Sequence, residues 1–383
     1  MAIEAVDPRA RGLRSRRHEA ADAAGLLGRL DWLLLGATAA AVLYGLWAIG
    51  GITRHDPGGS AEPRQTLYAG AGALLLVIAT LIDYRIYRRL WVAIYVGLCG
   101  VMGLVLILGA ATRGSKRWIN IGFFTFQPSE FGKVLLAIAL GGFLAGNAKQ
   151  IARIDVPLRT IALAAVPILL VFAQPDAGTA LVYIAVLAAV LFVAGIRWLH
   201  LALIAAVGIV TVLSVLVWLP AAGIQVLKPY QTARLSNGNS YNLTESKIAI
   251  GSGGFHGRGV KGATQTALDY LPAHDNDFAF ASLAEQRGFL GVSVLLLLYL
   301  LIVWRGLKIV TTAPDLFGAI VAAGIVFALL FQVFVNVGMT MGIAPITGIT
   351  LPFVSVGGSS MISNLAGIGV LLSIHARGRR RKT

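Results

Sequence analysis

Five short stretches of this chain carry polar side chains of the kinds that move protons or steady anions, each beside a long apolar run. RGSKRWI at 113–119 sets Arg113, Lys116 and Arg117 next to Trp118. Such cations suit a phosphate-bearing partner and equally suit lipid headgroups, with the indole as an interfacial anchor. In QPSEFGK at 127–133, Pro128 fits a first helical turn and Glu130 favours the positive end of the helix dipole, so capping alone could account for the acid. Lys133 lies three residues on, on the same helix face as Glu130. A buried ion pair is a weak source of net stability, which makes a functional role for Glu130 and Lys133 the better explanation.

QPDAGT at 174–179 reads as a tight turn, and Asp176 by itself reads as a helix cap. Residues 220–278 offer Arg234 and then the glycine-rich GSGGFHGRGVKG at 251–262, with Arg258 and Lys261. Its backbone N–H groups could cradle phosphate, but the spacing fits no nucleotide-binding fingerprint, and a flexible loop is the simpler reading. The last stretch, LPAHDNDFAFASLAEQR at 271–287, holds His274, Asp275, Asp277 and Glu285. Asp275 or Asp277 could cap the helix that follows. Asp277 and Glu285 are eight residues apart, close to one helical face, so one acid stands at a surface and one deep. A carboxylate at a partly dry boundary near cations is suited to take a proton from a hydroxyl.

The elements that must position these groups are apolar. Of 383 residues, 57% are hydrophobic and 13% charged, against roughly a quarter charged in a soluble domain. Ten runs are long enough to cross a bilayer as helices: about 30–50, 66–82, 91–111, 131–146, 158–173, 178–195, 199–219, 279–304, 316–338 and 359–375. They are continuous rather than alternating in polarity, which excludes barrel strands. The expected fold is therefore an all-α integral membrane protein. The segment 220–278 between the seventh and eighth runs mixes Trp, Tyr, Leu and Ile with charges and is expected to be an ordered loop over the bundle. A further segment at 338–360 is irregular yet apolar, and such backbone at membrane depth must re-enter or line a cavity.

The net charge of +15 invites a nucleic-acid reading, but the basic residues gather in patches between runs. Arg9 to Arg29, Arg85 to Arg89, Lys149 to Arg159, Arg197, Arg305 with Lys308, and Arg377 to Lys382 all fall on one side if ten helices alternate. The positive-inside rule then puts both termini in the cytoplasm and the polar stretches outside, with no nucleic-acid partner. The chain divides into a basic start at 1–29, a membrane domain at 30–376 and a basic tail at 377–383. No cleavable signal sequence is apparent. Cys99, the single cysteine, lies in an apolar run and reads as packing.

The motifs FQPSE at 126–130, QPDAGT at 174–179, SKIAIGSGG at 246–254, LPAHDNDFAFASLAE at 271–285 and NVGMTMGIAPITGITLPFVSVGGSS at 336–360 resemble, in order, those of the SEDS family (shape, elongation, division and sporulation). The resemblance spans nearly the whole chain and implies a peptidoglycan glycosyltransferase of the bacterial inner membrane. It would join lipid II units into β-1,4 glycan strands at the extracytoplasmic face and work with a class B penicillin-binding protein, a transpeptidase. SKIAIGSGG, GATQ at 262–265 and NVGMTMGIAP favour the elongation type over the division type.

By the same resemblance Asp277 aligns with the aspartate treated as catalytic, and Glu130, Lys133 and Asp176 with other sensitive positions. Lys116, Arg117, Arg234 and Arg258 are further candidates to face the lipid diphosphate, after Lys133. The sequence marks no definite cofactor; a divalent cation such as Mg or Mn suits carboxylates and phosphates and is left open. Two departures stand out. The family's His-Thr-Asp-Phe is replaced by Asp275-Asn276-Asp277-Phe278, with His274 one place early, and Val356 stands where tyrosine is common. On topology alone a transporter that flips the same lipid remains the rival, and it differs in needing a polar path through the bilayer.

Overall fold

The computed structural model describes residues 28–56, 59–108, 110–112, 115–121, 124–151, 153–203, 206 and 241–378. Outside them lie the basic start to residue 27, Arg113, most of the seventh apolar run, the stretch with Arg234, and residues 379–383 of the tail.

The apolar runs form helices because a chain surrounded by hydrocarbon must satisfy its backbone internally. Among the described residues these are α1 (Trp32–Ile52), α2 (Glu62–Leu81), a short α3 (Tyr84–Arg89), α4 (Trp91–Leu108), α5 (Pro128–Gly146), α6 (Asp155–Ala173), α7 (Ala177–Val193), α8 (Tyr241–Gly253), the short α9 (Gly259–Gly262) and α10 (Thr264–Ala267), α11 (Ala279–Thr312), α12 (Leu316–Met341) and α13 (Gly358–Gly378). Seven are long and apolar enough to cross a membrane, and α4 and α7 are slightly shorter apolar helices. The protein is a multi-pass helical membrane protein. α13 is the most enclosed span and α12 and α5 follow, while α1, α2, α6 and α11 leave much of their surface outward, as lipid-facing helices do.

Two segments depart from the helical expectation. Between α4 and α5 the chain forms a three-stranded antiparallel sheet, β1 (Ala110–Thr112), β2 (Ser115–Ile121) and β3 (Phe124–Phe126), in the order β1-β2-β3. Ile119, Asn120 and Ile121 face Phe126, Thr125 and Phe124 in register, and β-branched and aromatic side chains favour such pairing. The glycine-rich motif beginning at 251 is the last turn of α8 rather than a loop, and the remainder folds into a compact turn against α11.

That contact explains the one break in α11. Gly288 has φ 64° and ψ −164°, so residues 279–287 form a separate foot before the long shaft. There the chain pairs in a strand-like way with the end of α8: Phe289 N–H donates to the Gly254 carbonyl at 2.9 Å and Leu290 N–H to Phe255 at 3.2 Å. A Cβ at Gly288 would stand 2.3 Å from the Gly257 nitrogen, so only glycine fits.

Between α12 and α13 the chain is irregular from the left-handed Gly342 to Gly357, yet Leu351, Phe353 and Val354 are buried. Side chains satisfy much of its backbone. Gln65 Nε2 donates to the Ser355 carbonyl at 3.0 Å and Gly357 N–H donates to Gln65 Oε1 at 3.2 Å. Tyr299 donates from its hydroxyl to the Pro352 carbonyl, and Leu351 N–H donates to Ser355 Oγ at 2.8 Å. This is the condition under which non-helical backbone survives at such depth.

Candidate functional site

The beginnings of α5, α7 and α11 and the end of α12 meet at one end of the bundle, and the irregular 342–357 segment closes them in. They enclose a cavity of about 190 Å³. Of the positions that the sequence brings forward, Asp277, Glu130, Lys133, Asp176 and Arg117 all line it.

α5 starts where Pro128 fixes the first turn, and that start carries Glu130 and Lys133 into the interior. Lys133 Nζ lies 2.7 Å from Glu130 Oε2, and both residues are nearly inaccessible to water. Close approach of α7 sets this turn in place. Tyr183 donates from its hydroxyl to the Ser129 carbonyl at 2.9 Å, passing where a Cβ of Gly132 would be.

Asp176 caps α7, its Oδ1 accepting from Thr179 N–H at 3.2 Å, so the capping expectation and the cavity position coincide. Its other oxygen accepts from Thr179 Oγ1 at 2.9 Å and Gln127 Nε2 at 3.0 Å. Arg117, from β2, reaches Asp176 Oδ1 at 3.6 Å and stacks over Trp118, whose indole N–H donates to Gln127 Oε1 at 3.1 Å. The small sheet therefore supplies one wall, through Arg117 and Trp118. Lys116 is also on β2, and its side chain lies outside the described set.

The opposite wall is the turn at 271–278. Its backbone is tied down residue by residue: Val356 N–H donates to the Asp275 carbonyl at 2.9 Å, Ser355 Oγ to Asn276 at 2.6 Å, and Asn336 Nδ2 to Asp277 at 3.0 Å. Asn336 also donates to the Ile349 carbonyl at 2.7 Å. Asp277 is half-buried, and its Oδ2 lies over Gly348. His274 is buried away from the cavity, with Nε2 3.0 Å from Asp56 Oδ1 and Nδ1 3.2 Å from the Leu271 carbonyl.

Glu285 is the deep acid of the pair and has a structural task. Its carboxylate accepts from the backbone N–H groups of Gln265 and Thr266 and from Thr266 Oγ1, capping α10. Arg258 is exposed and outside the cavity lining, its Nε donating to the Ser252 carbonyl at 2.9 Å.

Hydropathy hides three further residues. Gln127 links Trp118 to Asp176, Asn336 holds the turn that carries Asp277, and Gln332 reaches the cavity from the interior of α12. The available signal is the spacing of Gln332 and Asn336, two amides four residues apart on an otherwise apolar run and so on one helix face. As for a metal, Glu130 is occupied by Lys133, and Asp176 by Thr179, Gln127 and Arg117. No group of three or more His, Cys, Asp or Glu side chains able to hold an ion is assembled among the described residues.

Three comparisons bear on what this arrangement is for. Residues 29–380 match a family model described as "Cell cycle protein" and named for FtsW, RodA and SpoVE. The chain is 35% identical over 363 residues to stage V sporulation protein E of Bacillus subtilis, covering 91% of this chain and 95% of that one. It is 34% identical over 357 residues to the peptidoglycan glycosyltransferase MrdB of Escherichia coli, with 90% and 93% covered. In a solved structure concerned with coordination of polymerization and crosslinking by a peptidoglycan synthase complex, one chain superposes with a TM-score of 0.78 at 31% identity. That match covers 91% of this chain and 98% of the other.

Proposed function

We propose, since this chain belongs to the FtsW/RodA/SpoVE family of cell cycle proteins, that its cavity is where a lipid-linked disaccharide is polymerised. The chain is a peptidoglycan glycosyltransferase of that family. The finer reading is that it extends glycan strands from lipid II during elongation and maintenance of rod shape. MrdB and the sporulation protein are almost equally similar, so the preference for elongation rests on the SKIAIGSGG and NVGMTMGIAP motifs.

In the mechanism, the 4-hydroxyl oxygen of the acceptor sugar attacks the anomeric carbon of the donor, and the bond from that carbon to the lipid diphosphate breaks. Asp277 takes the hydroxyl proton as general base. The electron pair of the broken bond leaves with the undecaprenyl diphosphate, and a single displacement inverts an α-linked donor to a β-1,4 product. Lys133 and Arg117 face the leaving group and stabilise its charge by preorganised electrostatics.

The observation that carries this reading is the shared cavity: Asp277 on one wall, Lys133 and Arg117 on the other. It also weighs against a flippase, because these groups gather at one end of the helices. The patches at Arg85 to Arg89, Lys149 to Arg159, and Arg305 with Lys308 lie at or near the opposite helix ends, which supports an extracytoplasmic site and a cytoplasmic basic side. A class B penicillin-binding protein is the proposed partner, in line with the crosslinking complex that contains the similar chain.

The experiment is polymerisation of fluorescent lipid II by the purified chain with its partner, comparing Asp277→Asn with the unaltered protein. Polymer is expected from the unaltered protein only. Equal polymer from both removes Asp277 from the chemistry. Translocation of lipid II in vesicles without polymer would establish the transporter instead.

A further inference from the structure

Gln332 is a costly residue to have where it is. It lies within α12, 1% exposed, one helical turn deeper than Asn336, and it lines the cavity. Its Oε1 is buried with no hydrogen-bond partner among the described residues. A buried amide without a partner costs about 1–3 kcal/mol, and leucine or valine at this position of an apolar helix would avoid that cost. Natural interiors rarely leave such a group orphaned, and the exceptions call for an explanation from function.

Other unsatisfied atoms belong to the same cavity. Asn276 Oδ1, beside Asp277, is buried without a partner, and so is Arg117 Nε on the facing wall. Two amide oxygens and one N–H therefore await a ligand that donates at least two hydrogen bonds and accepts at least one. Whichever way each amide is turned, the Gln332 and Asn276 side chains are incompletely paired. The charged side chains around the cavity, Glu130, Asp176 and Asp277 against Lys133 and Arg117, nearly cancel. A near-neutral cavity with unmatched hydrogen-bonding groups suits a neutral polyhydroxylated ring better than a free anion.

We infer that Gln332 is a sugar-binding residue of the polymerisation site, its side-chain amide accepting from a hydroxyl or acetamido N–H of the saccharide held beside Asp277, with Asn276 making the companion contact. The inference rests on the glycosyltransferase reading of the same cavity and adds how the sugar is recognised there. Gln332 takes no part in proton transfer. It sets the depth and rotation of the ring, so its contribution lies in saccharide binding.

Gln332→Leu is the discriminating variant, because leucine occupies similar space and removes the orphaned amide. Replacing an unpaired buried polar group by an apolar one is neutral or stabilising for the fold, whereas losing a ligand hydrogen bond weakens binding. With purified full chain and partner, the expected result is a KM for lipid II raised about tenfold, equivalent to about 1.4 kcal/mol. The expected kcat changes less than threefold and the melting temperature is equal or higher. Direct binding of lipid II to the chain weakens by the same factor.

Unchanged KM and unchanged binding overturn the inference. So does a lower melting temperature in both Gln332→Leu and Gln332→Met, since the amide would then be serving the fold. The two readings separate cleanly: if the unaltered protein binds lipid II without polymerising it, catalysis here fails, and weaker binding by Gln332→Leu still upholds the sugar contact.

Discussion

The side chain of Asn336 holds the backbone of Asp277: one amide nitrogen donates to the Asp277 carbonyl at 3.0 Å and to the Ile349 carbonyl at 2.7 Å. The proposed base is thus fixed by a residue 59 positions later in the chain. Asn336→Leu would orphan both carbonyls, at about 1–3 kcal/mol for each left unsatisfied. The expected outcome is a fall of at least tenfold in kcat with a smaller change in KM, together with a lower melting temperature. Polymerisation at the normal rate by Asn336→Leu would show that this tether does not position Asp277.

Glu130 and Lys133 make a second, different prediction. Removing one partner of a buried ion pair leaves an uncompensated charge, at about 3–5 kcal/mol, whereas removing both can be nearly neutral. Lys133→Met should therefore unfold at a markedly lower temperature, and adding Glu130→Gln should recover most of the loss. Polymerisation should stay absent in the double variant, because the cation proposed to face the diphosphate is gone. Thermal melts in detergent beside a lipid II assay separate the two effects, and an active double variant would leave the pair with a purely structural task.

At the other end of the bundle, Asp31 caps α1 and accepts from Arg305 Nε at 3.0 and 3.1 Å and from Leu34 N–H at 3.0 Å. Burial alone would push this carboxyl up; the Arg305 guanidinium and the Leu34 N–H outweigh it and hold it below its ordinary 3.8. A depressed carboxylate contributes stability that is present above the unfolded pKa and is lost as pH falls through the folded one. Asp31→Asn should accordingly be less stable than the unaltered chain at pH 7 by about 3 kcal/mol. The gap should narrow only once the pH drops below about 4. Melting curves of both proteins across pH 3 to 8 test this, and a gap independent of pH would refute it.

The helices were legible because the bilayer imposes their length and composition, and nine of the ten expected apolar runs correspond to spans or near-spans among the described residues. β2 was not, since seven residues containing two cations, Lys116 and Arg117, and polar groups carry too weak an alternation to outweigh a loop reading. In the site, charge made Glu130, Lys133 and Asp277 visible, for an ionisable group beside lipid needs a reason. Amides raise no such flag. Gln127, Gln332 and Asn336 acquire meaning only from what they touch, or fail to touch, once distant segments are brought together. Arg258 shows the converse: its charge drew notice, and its partner is the Ser252 carbonyl outside the cavity.

The stretch after α12 gives the cavity Gly348, Ile349 and Thr350, and Gln127 N–H donates to Ser359 Oγ at the start of α13. A nascent chain emerging from the ribosome therefore inserts the eight spanning or near-spanning helices that precede this stretch among the described residues before the last wall of the chamber exists. Until the final span is threaded into the membrane, the chamber proposed to hold a sugar lacks one side, and on that proposal a half-made enzyme does not consume precursor during its own synthesis.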